Sequence, residues 1–206
     1  MPQRFTAPIY SYEDLRRKAD EFLAKHHPAG TIPVPIEEFV EFQLGMDIVP
    51  MPGLHTLIET DGFITSDLKE IYVDEFVYLS RPGRYRFTLA HEVGHAILHH
   101  DLFRQRRFRS VKEWKAFVNG IPEKQHGWLE YQANAFAALV LVPKVALHNQ
   151  TRICLDEVRS EGINLDENWD FAWSRIAAFV AKRFQVSSEV VDRRLQKDGV
   201  PETFKK

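Results

Sequence analysis

Residues 87–100 read FTLAHEVGHAILHH and form the most informative stretch of this chain. Since four residues of a helix turn through about 400°, His91 and His95 would share one face, roughly 6 Å apart along the axis. Gly94 would allow another backbone to approach the helix closely. Apolar residues at helical spacing predict a buried helix from about Tyr85 to His100; they are Leu89, Ala90, Val93, Ile97 and Leu98.

The H-E-x-x-H pattern of this helix predicts a metal site. Its spacing lets His91 and His95 bind one ion, each through one ring nitrogen. Glu92 lies about 100° around the helix from His91, so it can flank the ion without binding it and polarise a bound water. Two histidines and a glutamate would be costly on a core helix without a metal. The alternative is that they are surface residues of an amphipathic helix.

A catalytic zinc needs a third protein ligand and an open fourth position. His99 continues the i, i+4, i+8 series, but it would lie about 12 Å along the axis from His91, too far for a shared ion. We therefore predict that His99 and His100 are polar residues at the helix end, bonded to carbonyls or water. The alternative for His99 is a position behind the metal ligands.

The third ligand is predicted in residues 128–143, WLEYQANAFAALVLVP, a helix that Pro143 ends. Glu130 can offer a carboxylate oxygen to the ion. Asn134, one turn later, can accept a hydrogen bond from a ligand imidazole and fix its tautomer. Alternatively, Glu130 only caps the first turn of its helix, where the helix dipole favours an acid. Nitrogen and oxygen ligands suit zinc and also tolerate manganese.

The remaining pattern predicts an α+β fold. Ser11 and Asp14 mark the start of a helix that reaches about Lys25, and residues 36–44 suggest a second helix that stops at Gly45. Short β-rich runs between Asp47 and Leu79 (DIV, LIET, FIT and EIYV) predict a small antiparallel sheet of three or four strands. Asp61-Gly62 is a hairpin signal within this region. Residues 144–197 are predicted to be helical throughout.

Length and composition favour one ordinary domain over residues 1–206. The hydrophobic fraction is 44%, the charged fraction 27% and the formal net charge −2, so neither a nucleic acid nor a membrane is demanded as a partner. No stretch is long and apolar enough for a membrane span, and the first residues lack a signal-peptide run. Cys154 is the one cysteine of the sequence. A reducing, cytoplasmic location is expected.

Two features could bind anionic partners. The basic tract, residues 103–109 with the sequence FRQRRFR, could recognise an acidic segment or nucleic acid, although such runs are more often solvated loops. The C-terminal subregion, residues 144–206, has the cadence of a helix-turn-helix with a turn at Val186-Ser187. Arg193 and Arg194 could contact phosphate there, but nearby acids favour helices packed against the core. Direct nucleic-acid binding is therefore not favoured.

Five segments in order resemble the ImmA/IrrE family of bacterial and phage metallo-endopeptidases. They are residues 31–49, 62–73, 86–99, 130–143 and 177–199, among them RFTLAHEVGHAILH and EYQANAFAALVLVP. The resemblance implies a zincin-like metallopeptidase domain with a metal-binding helix pair in residues 1–143 and a helical C-terminal region. It makes His91, His95 and Glu130 the metal ligands and Glu92 the catalytic acid and base. Asn134 falls where the family has Asn or Asp. The segment 101–127 is longer and more basic than the resemblance leads us to expect.

By the same resemblance, the substrate would be a helix-turn-helix transcriptional repressor, whose cleavage would derepress stress-response or mobile-element genes. Glu92 would take a proton from water and deliver it to the leaving amine. An oxyanion donor is also expected, and the candidates are Tyr131, His126, His100 and an arginine of the basic tract. The competing hypothesis is a non-proteolytic regulator that keeps the metal and acts by binding a repressor or DNA.

Overall fold

A computed structural model describes residues 6–162 and 169–204 and confirms the α+β class. The strands are β1 (Asp47–Met51), β2 (Gly62–Ile64) and β3 (Glu70–Asp74). No described helix combines the length and apolar character needed to cross a bilayer. The α-helices are α1 (Tyr12–His26), α2 (Ile36–Glu38), α3 (Leu54–Ile58), α4 (Glu75–Ser80), α5 (Pro82–Leu98), α6 (His100–Arg104), α7 (Val111–Asn119), α8 (Glu123–Leu141), α9 (Lys144–Ser160), α10 (Trp169–Phe184), α11 (Ser188–Lys197) and α12 (Val200–Phe204).

Helix α1 begins where the sequence predicts. The Ser11 side chain accepts a hydrogen bond from the Asp14 N–H, and the Asp14 carboxylate accepts one from the Ser11 N–H. This reciprocal capping satisfies two backbone donors that a helix start otherwise leaves free. Leu15, Ala19 and Phe22 then bury one face of the helix.

The second predicted helix begins as an α-helix and ends as a wider π-helix. After α2 the chain continues as a π-helical turn, Phe39–Gln43. In that turn the Leu44 N–H donates to the Phe39 carbonyl, five residues back, at 2.9 Å. Gly45 follows with φ +65°, the left-handed conformation expected of a residue that ends a helix.

The sheet is mixed, so the prediction of a purely antiparallel sheet is wrong in one pairing. Strand order is β1-β3-β2. Strands β2 and β3 are antiparallel, with Phe63 opposite Tyr72, whereas β1 and β3 are parallel, with Ile48 opposite Ile71. Parallel neighbours need a long crossover between them. Helix α3 and strand β2 provide that crossover.

The predicted strand LIET, residues 57–60, is also wrong. Its first half ends α3, a short helix bounded by the left-handed residues Gly53 and Glu59. Both edges of β3 are already paired with β1 and β2, so no backbone ladder remains there for another strand. Asp61-Gly62 accordingly leads into β2 and does not form a hairpin turn. The turn between β2 and β3 lies at residues 65–69, where Leu68 has φ +58°.

Helices α5 and α8 form the pair that organises the interior. A Cβ atom on Gly94 would lie 3.1 Å from the Ala133 carbonyl oxygen, 3.2 Å from Ala133 Cα and 3.3 Å from Phe136 Cδ1. Gly94 therefore does what its position predicts and lets the backbone of α8 approach α5. Leu89, Ala90, Phe136 and Ala137 surround this contact in the core.

The basic tract combines buried aromatic residues with exposed arginines. Phe103 and Phe108 belong to the core, and Phe108 stacks on Phe117 of α7 with ring centroids 4.7 Å apart. Arg109 forms an ion pair with Asp67 at 3.0 Å. All four arginines of the tract are exposed, namely Arg104, Arg106, Arg107 and Arg109. The aromatic residues thus anchor a segment whose charges face solvent.

The C-terminal helices pack against the core. Helix α11 begins after a left-handed residue, Gln185, and Ser187 caps it. Arg194 is 2% exposed and donates to the Val142 carbonyl and the Tyr12 hydroxyl. It also pairs with Asp198 at 2.9 Å, so Arg194 is not available to a phosphate.

We expect the Gly94→Val substitution to lower the free energy of unfolding by about 1–3 kcal/mol, because the new methyl groups would overlap the backbone of α8. Gly127→Val is the matched control, since no atom lies within 4 Å of a Cβ on Gly127 in the same helix pair. The control should be close to neutral. Chemical denaturation measures both, and equal stability of the two variants would contradict the close approach.

We expect Arg194→Met to lower the free energy of unfolding by about 3–5 kcal/mol, because it leaves the buried Asp198 without one of its partners. Arg193→Met is the control, since Arg193 is exposed and pairs with the exposed Glu189. Thermal unfolding would compare the two variants. A loss of similar size in both would show that the buried ion pair is not the cause.

Candidate metal centre

Three side chains predicted as metal ligands converge in the structure. Nε2 of His91 and Nε2 of His95 lie 3.0 Å apart. The Glu130 carboxylate faces both rings, with Oε2 at 3.3 Å from His91 Nε2 and Oε1 at 3.4 Å from His95 Nε2. Helix α5 supplies the two histidines at i and i+4, and α8 brings the carboxylate across the close contact at Gly94.

The donor set fits a metal ion. One donor atom from each of the three residues lies within 4.8 Å of the others, and the three form the His/Cys/Asp/Glu cluster found among the described residues. Ligands at about 2.1 Å from a tetrahedral zinc stand about 3.4 Å from one another. The distances between the three side chains are close to that value. Two imidazole nitrogens and a carboxylate oxygen are also the donor types of catalytic zinc sites.

The far side of each imidazole is also engaged. Nδ1 of His91 lies 3.1 Å from Oδ1 of Asn134, so the amide oxygen can accept the Nδ1 proton as the sequence predicts. Nδ1 of His95 lies 3.0 Å from Nδ1 of His99. His99 lies at the end of α5 as predicted, but it is buried, 1% exposed, and its side chain contacts His95, so the prediction that it bonds carbonyls or water is wrong. The alternative position behind the ligands is the one observed.

Glu92 is buried beside the three predicted ligands. It is 5% exposed, and Thr88 and Gly62 bring β2 against the same face of α5. Burial raises the pKa of the Glu92 carboxyl, and the negative charge of Glu130 adds to this. The two nearby histidines and a backbone hydrogen bond from Ile64 act in the opposite direction. The result is a carboxylate with a greater affinity for a proton than an ordinary glutamate.

The electrostatics of the cluster are dominated by one ion pair. Burial disfavours the charged form of His91, but the hydrogen bond to Glu130 and the charges of Glu92 and Glu130 outweigh it and raise the pKa of His91 to about 9. Burial also acts on Glu130, yet hydrogen bonds from His91 and His95 hold the pKa of that carboxyl well below its usual range. Burial and the neighbouring His95 lower the pKa of His99 to about 2, so His99 is neutral.

The cluster lies in a cleft of about 600 Å³. Helices α3 and α7 form walls that the sequence did not identify, and Lys115 Nζ donates to the Leu57 carbonyl between them at 3.3 Å. Of the four oxyanion candidates, His126 lines the cleft, and its Nε2 is 3.6 Å from Glu130 Oε1. Among the described residues that line the cleft, Tyr131, His100 and the arginines of the basic tract do not occur.

A family model for the IrrE N-terminal-like domain, peptidase family M78, matches residues 43–196. The chain belongs to this family. The matched segment includes all three predicted metal ligands, and the resemblance seen in the sequence is confirmed. Membership places the chain among metallopeptidase-like proteins. No curated protein matches it.

Among solved structures, this family member is similar to a Mycobacterium tuberculosis transcriptional regulator. The TM-score is 0.52 at 18% sequence identity, and the match covers 89% of this chain. It covers 46% of the regulator, so the chain spans less than half of that protein's length. At this level of identity the likeness extends to the fold alone.

The sequence of this M78-family chain contains a signal for the observed position of His99, which was the alternative and not the preferred prediction. His99 follows His91 and His95 at the next i+4 step, and that periodicity correctly placed it on the metal-facing side of α5. His99 is about two helical turns from His91, which is too far for a shared ion, but only one turn from His95. The walls from α3 and α7 carried no comparable signal, because their residues have no shared spacing with the motif.

Because His91 of the metal-free protein has a pKa of about 9, it is protonated near neutral pH and must lose that proton to bind a metal. Metal affinity should therefore rise with pH up to about 9, and metal uptake near neutral pH should release a proton. Ring-proton NMR of the metal-free chain should show His91 titrating near pH 9 and His99 remaining neutral. Glu130→Gln should lower the pKa of His91, and an ordinary His91 pKa in the wild-type chain would contradict the ion pair.

Proposed function

We propose that this chain is a zinc-dependent endopeptidase that hydrolyses a peptide bond in a protein substrate. The observation that carries the proposal is the convergence of His91, His95 and Glu130 within 4.8 Å of one another, in an open cleft with a buried glutamate beside them. A closed structural zinc site has four protein ligands, commonly cysteines. Three ligands facing a cleft instead leave room for water and substrate.

His91, His95 and Glu130 would hold the metal. Zinc is the ion we propose, and manganese is the alternative that the same donors tolerate. When bound, the metal supplies Lewis acidity that polarises water and the scissile carbonyl. Asn134 keeps the proton of His91 on Nδ1 by accepting it in a hydrogen bond, which leaves Nε2 free to bind.

Glu92 is the proposed catalytic base and acid. Its carboxylate is in the cleft beside the three ligands but is not one of the atoms that converge. A glutamate with a raised pKa can take the proton of the attacking water and hold it until the amine leaves. The same carboxyl group then delivers that proton to the departing nitrogen. His126 is the proposed donor to the oxyanion, since it is the candidate that lines the cleft.

The proposed substrate is a helix-turn-helix transcriptional repressor in the cytoplasm, whose cleavage derepresses stress-response or mobile-element genes. The family resemblance supports this substrate class. An open cleft is also better suited to a segment of polypeptide than to a small ligand that must be enclosed. A free buried Cys154 is compatible with a reducing compartment.

The second candidate is a regulator that keeps the metal and acts by binding a repressor or DNA. It is favoured by the likeness to a protein described as a transcriptional regulator over 89% of this chain. The pairing of two basic residues of α11 argues against the version of this candidate that binds DNA. Arg194 is buried in an ion pair, and Arg193 is paired with Glu189.

Co-expression with the product of the adjacent gene, where that product is a helix-turn-helix protein, tests the proposal. Glu92→Gln should retain the metal and slow cleavage by at least about 10²-fold, because it removes the proton acceptor. Glu59→Gln is the matched control, since Glu59 also lines the cleft but lies in its wall, and it should cleave like the wild type. Elemental analysis would establish the metal content of each.

Cleavage by Glu92→Gln at the wild-type rate would remove Glu92 from the mechanism. A metal-loaded wild-type chain that binds the repressor without cleaving it would favour the regulatory candidate.

A further inference from the structure

His99 packs behind one of the two histidines of the metal centre. It caps the C-terminus of α5, and its backbone N–H donates to the His95 carbonyl at 2.9 Å. The two rings also meet, with Nδ1 of His99 at 3.0 Å from Nδ1 of His95. Since His99 is 1% exposed, solvent does not reach this contact.

The direction of this hydrogen bond follows from what His95 must do on its other side. Its Nε2 faces His91 Nε2 at 3.0 Å and Glu130 Oε1 at 3.4 Å, so Nε2 is the atom available to a metal. A metal ligand needs a lone pair, and a neutral imidazole that uses Nε2 as ligand carries its proton on Nδ1. His95 therefore donates this proton, and Nδ1 of His99 accepts it.

We propose that His99 is a positioning residue that fixes the tautomer and the ring orientation of His95 for metal binding. The inference rests on the proposed metal site. It assigns to His95 the kind of acceptor that Asn134 provides for His91, whose Nδ1 lies 3.1 Å from the amide oxygen. Each ligand histidine thus has its own acceptor, one at the end of the same helix and one on α8.

The second nitrogen of His99 argues against a purely space-filling role. Nε2 of His99 is buried and has no hydrogen-bond partner in the described part of the chain. Burying a polar atom in this way is unfavourable, and an apolar side chain of similar size would fill the site without that cost. The contact of Nδ1 with His95 gives a reason for histidine at this position.

The ring of Phe103 lies beside those of His95 and His99. It meets that of His95 edge to face, with centroids 5.4 Å apart, and lies 6.5 Å from that of His99. Phe103 is itself buried in the core. An aromatic side chain beside the N–H···N contact keeps water from replacing His99 as the acceptor. Substitution of His99 should therefore weaken metal binding.

The test compares three variants of the full chain by zinc affinity, measured by competition with a chelator. His99→Leu removes the acceptor and should weaken zinc binding by about 10–100-fold. His99→Gln restores an acceptor oxygen and should recover most of the affinity. His100→Gln is the control, because His100 is exposed and contacts Asp101, and its affinity should equal that of the wild type.

A second measurement examines the hydrogen bond itself in the wild-type chain. In zinc-loaded protein with 15N-labelled histidine, we expect the His95 ring proton on Nδ1 and a 15N–15N coupling through the hydrogen bond to His99. This readout does not depend on how well the variants fold.

Zinc binding by the wild type, together with no coupling and unchanged affinity in His99→Leu, would overturn the positioning role and leave the proposed function intact. A wild-type chain that binds no zinc would overturn the metal site, and the role of His99 with it. Equal losses in His99→Leu and His99→Gln would show that the site needs the imidazole shape and not the acceptor.

Discussion

The contact between α5 and α8 at Gly94 is the constraint on which the candidate metal centre depends. The two histidines lie on one helix and the carboxylate on the other, so the distances of 3.3 and 3.4 Å between them are set by how closely the helices approach. The separation of packed helices follows the side chains at their contact. With no side chain at Gly94, the backbone of Ala133 can lie against α5. The distances among the three predicted metal ligands are thereby fixed by main-chain atoms.

Local periodicity explains which parts of this arrangement could be predicted. His91 and His95 are four residues apart on one helix, and Glu130 and Asn134 repeat that spacing on another, so each pair could be placed on a shared face from the sequence. The parallel pairing of β1 with β3 could not, because it joins segments separated by a helix and a strand. The run LIET had β-forming residues, but the sheet had no free edge of β3 to pair with it. The preference of this segment for a β-strand was therefore overridden by the pairing of β3 with β1 and β2.

Burial was the second property that the sequence did not reveal. Arg193 and Arg194 are adjacent and alike in the sequence, yet one is exposed and the other is enclosed by Tyr12, Val142 and Asp198. The basic tract shows the same mixture, since Phe103 and Phe108 are core residues within a run of exposed arginines. His99 was expected to bond carbonyls or water at the end of its helix, but it is buried and its ring contacts that of His95. A run of charged residues shows the charge of a segment but not which of its side chains are buried.

The hydrogen bond from Lys115 to the Leu57 carbonyl joins α3 and α7, the two walls of the cleft, near the exposed surface. Each wall also has an anchor in the interior, since Leu54 of α3 is buried and Phe117 of α7 stacks on the buried Phe108. The three predicted metal ligands are held independently of this bond, through the backbone contact at Gly94. Breaking the lysine bond would therefore alter the rim of the cleft, while the distances among the three side chains stay set by the contact of α5 with α8.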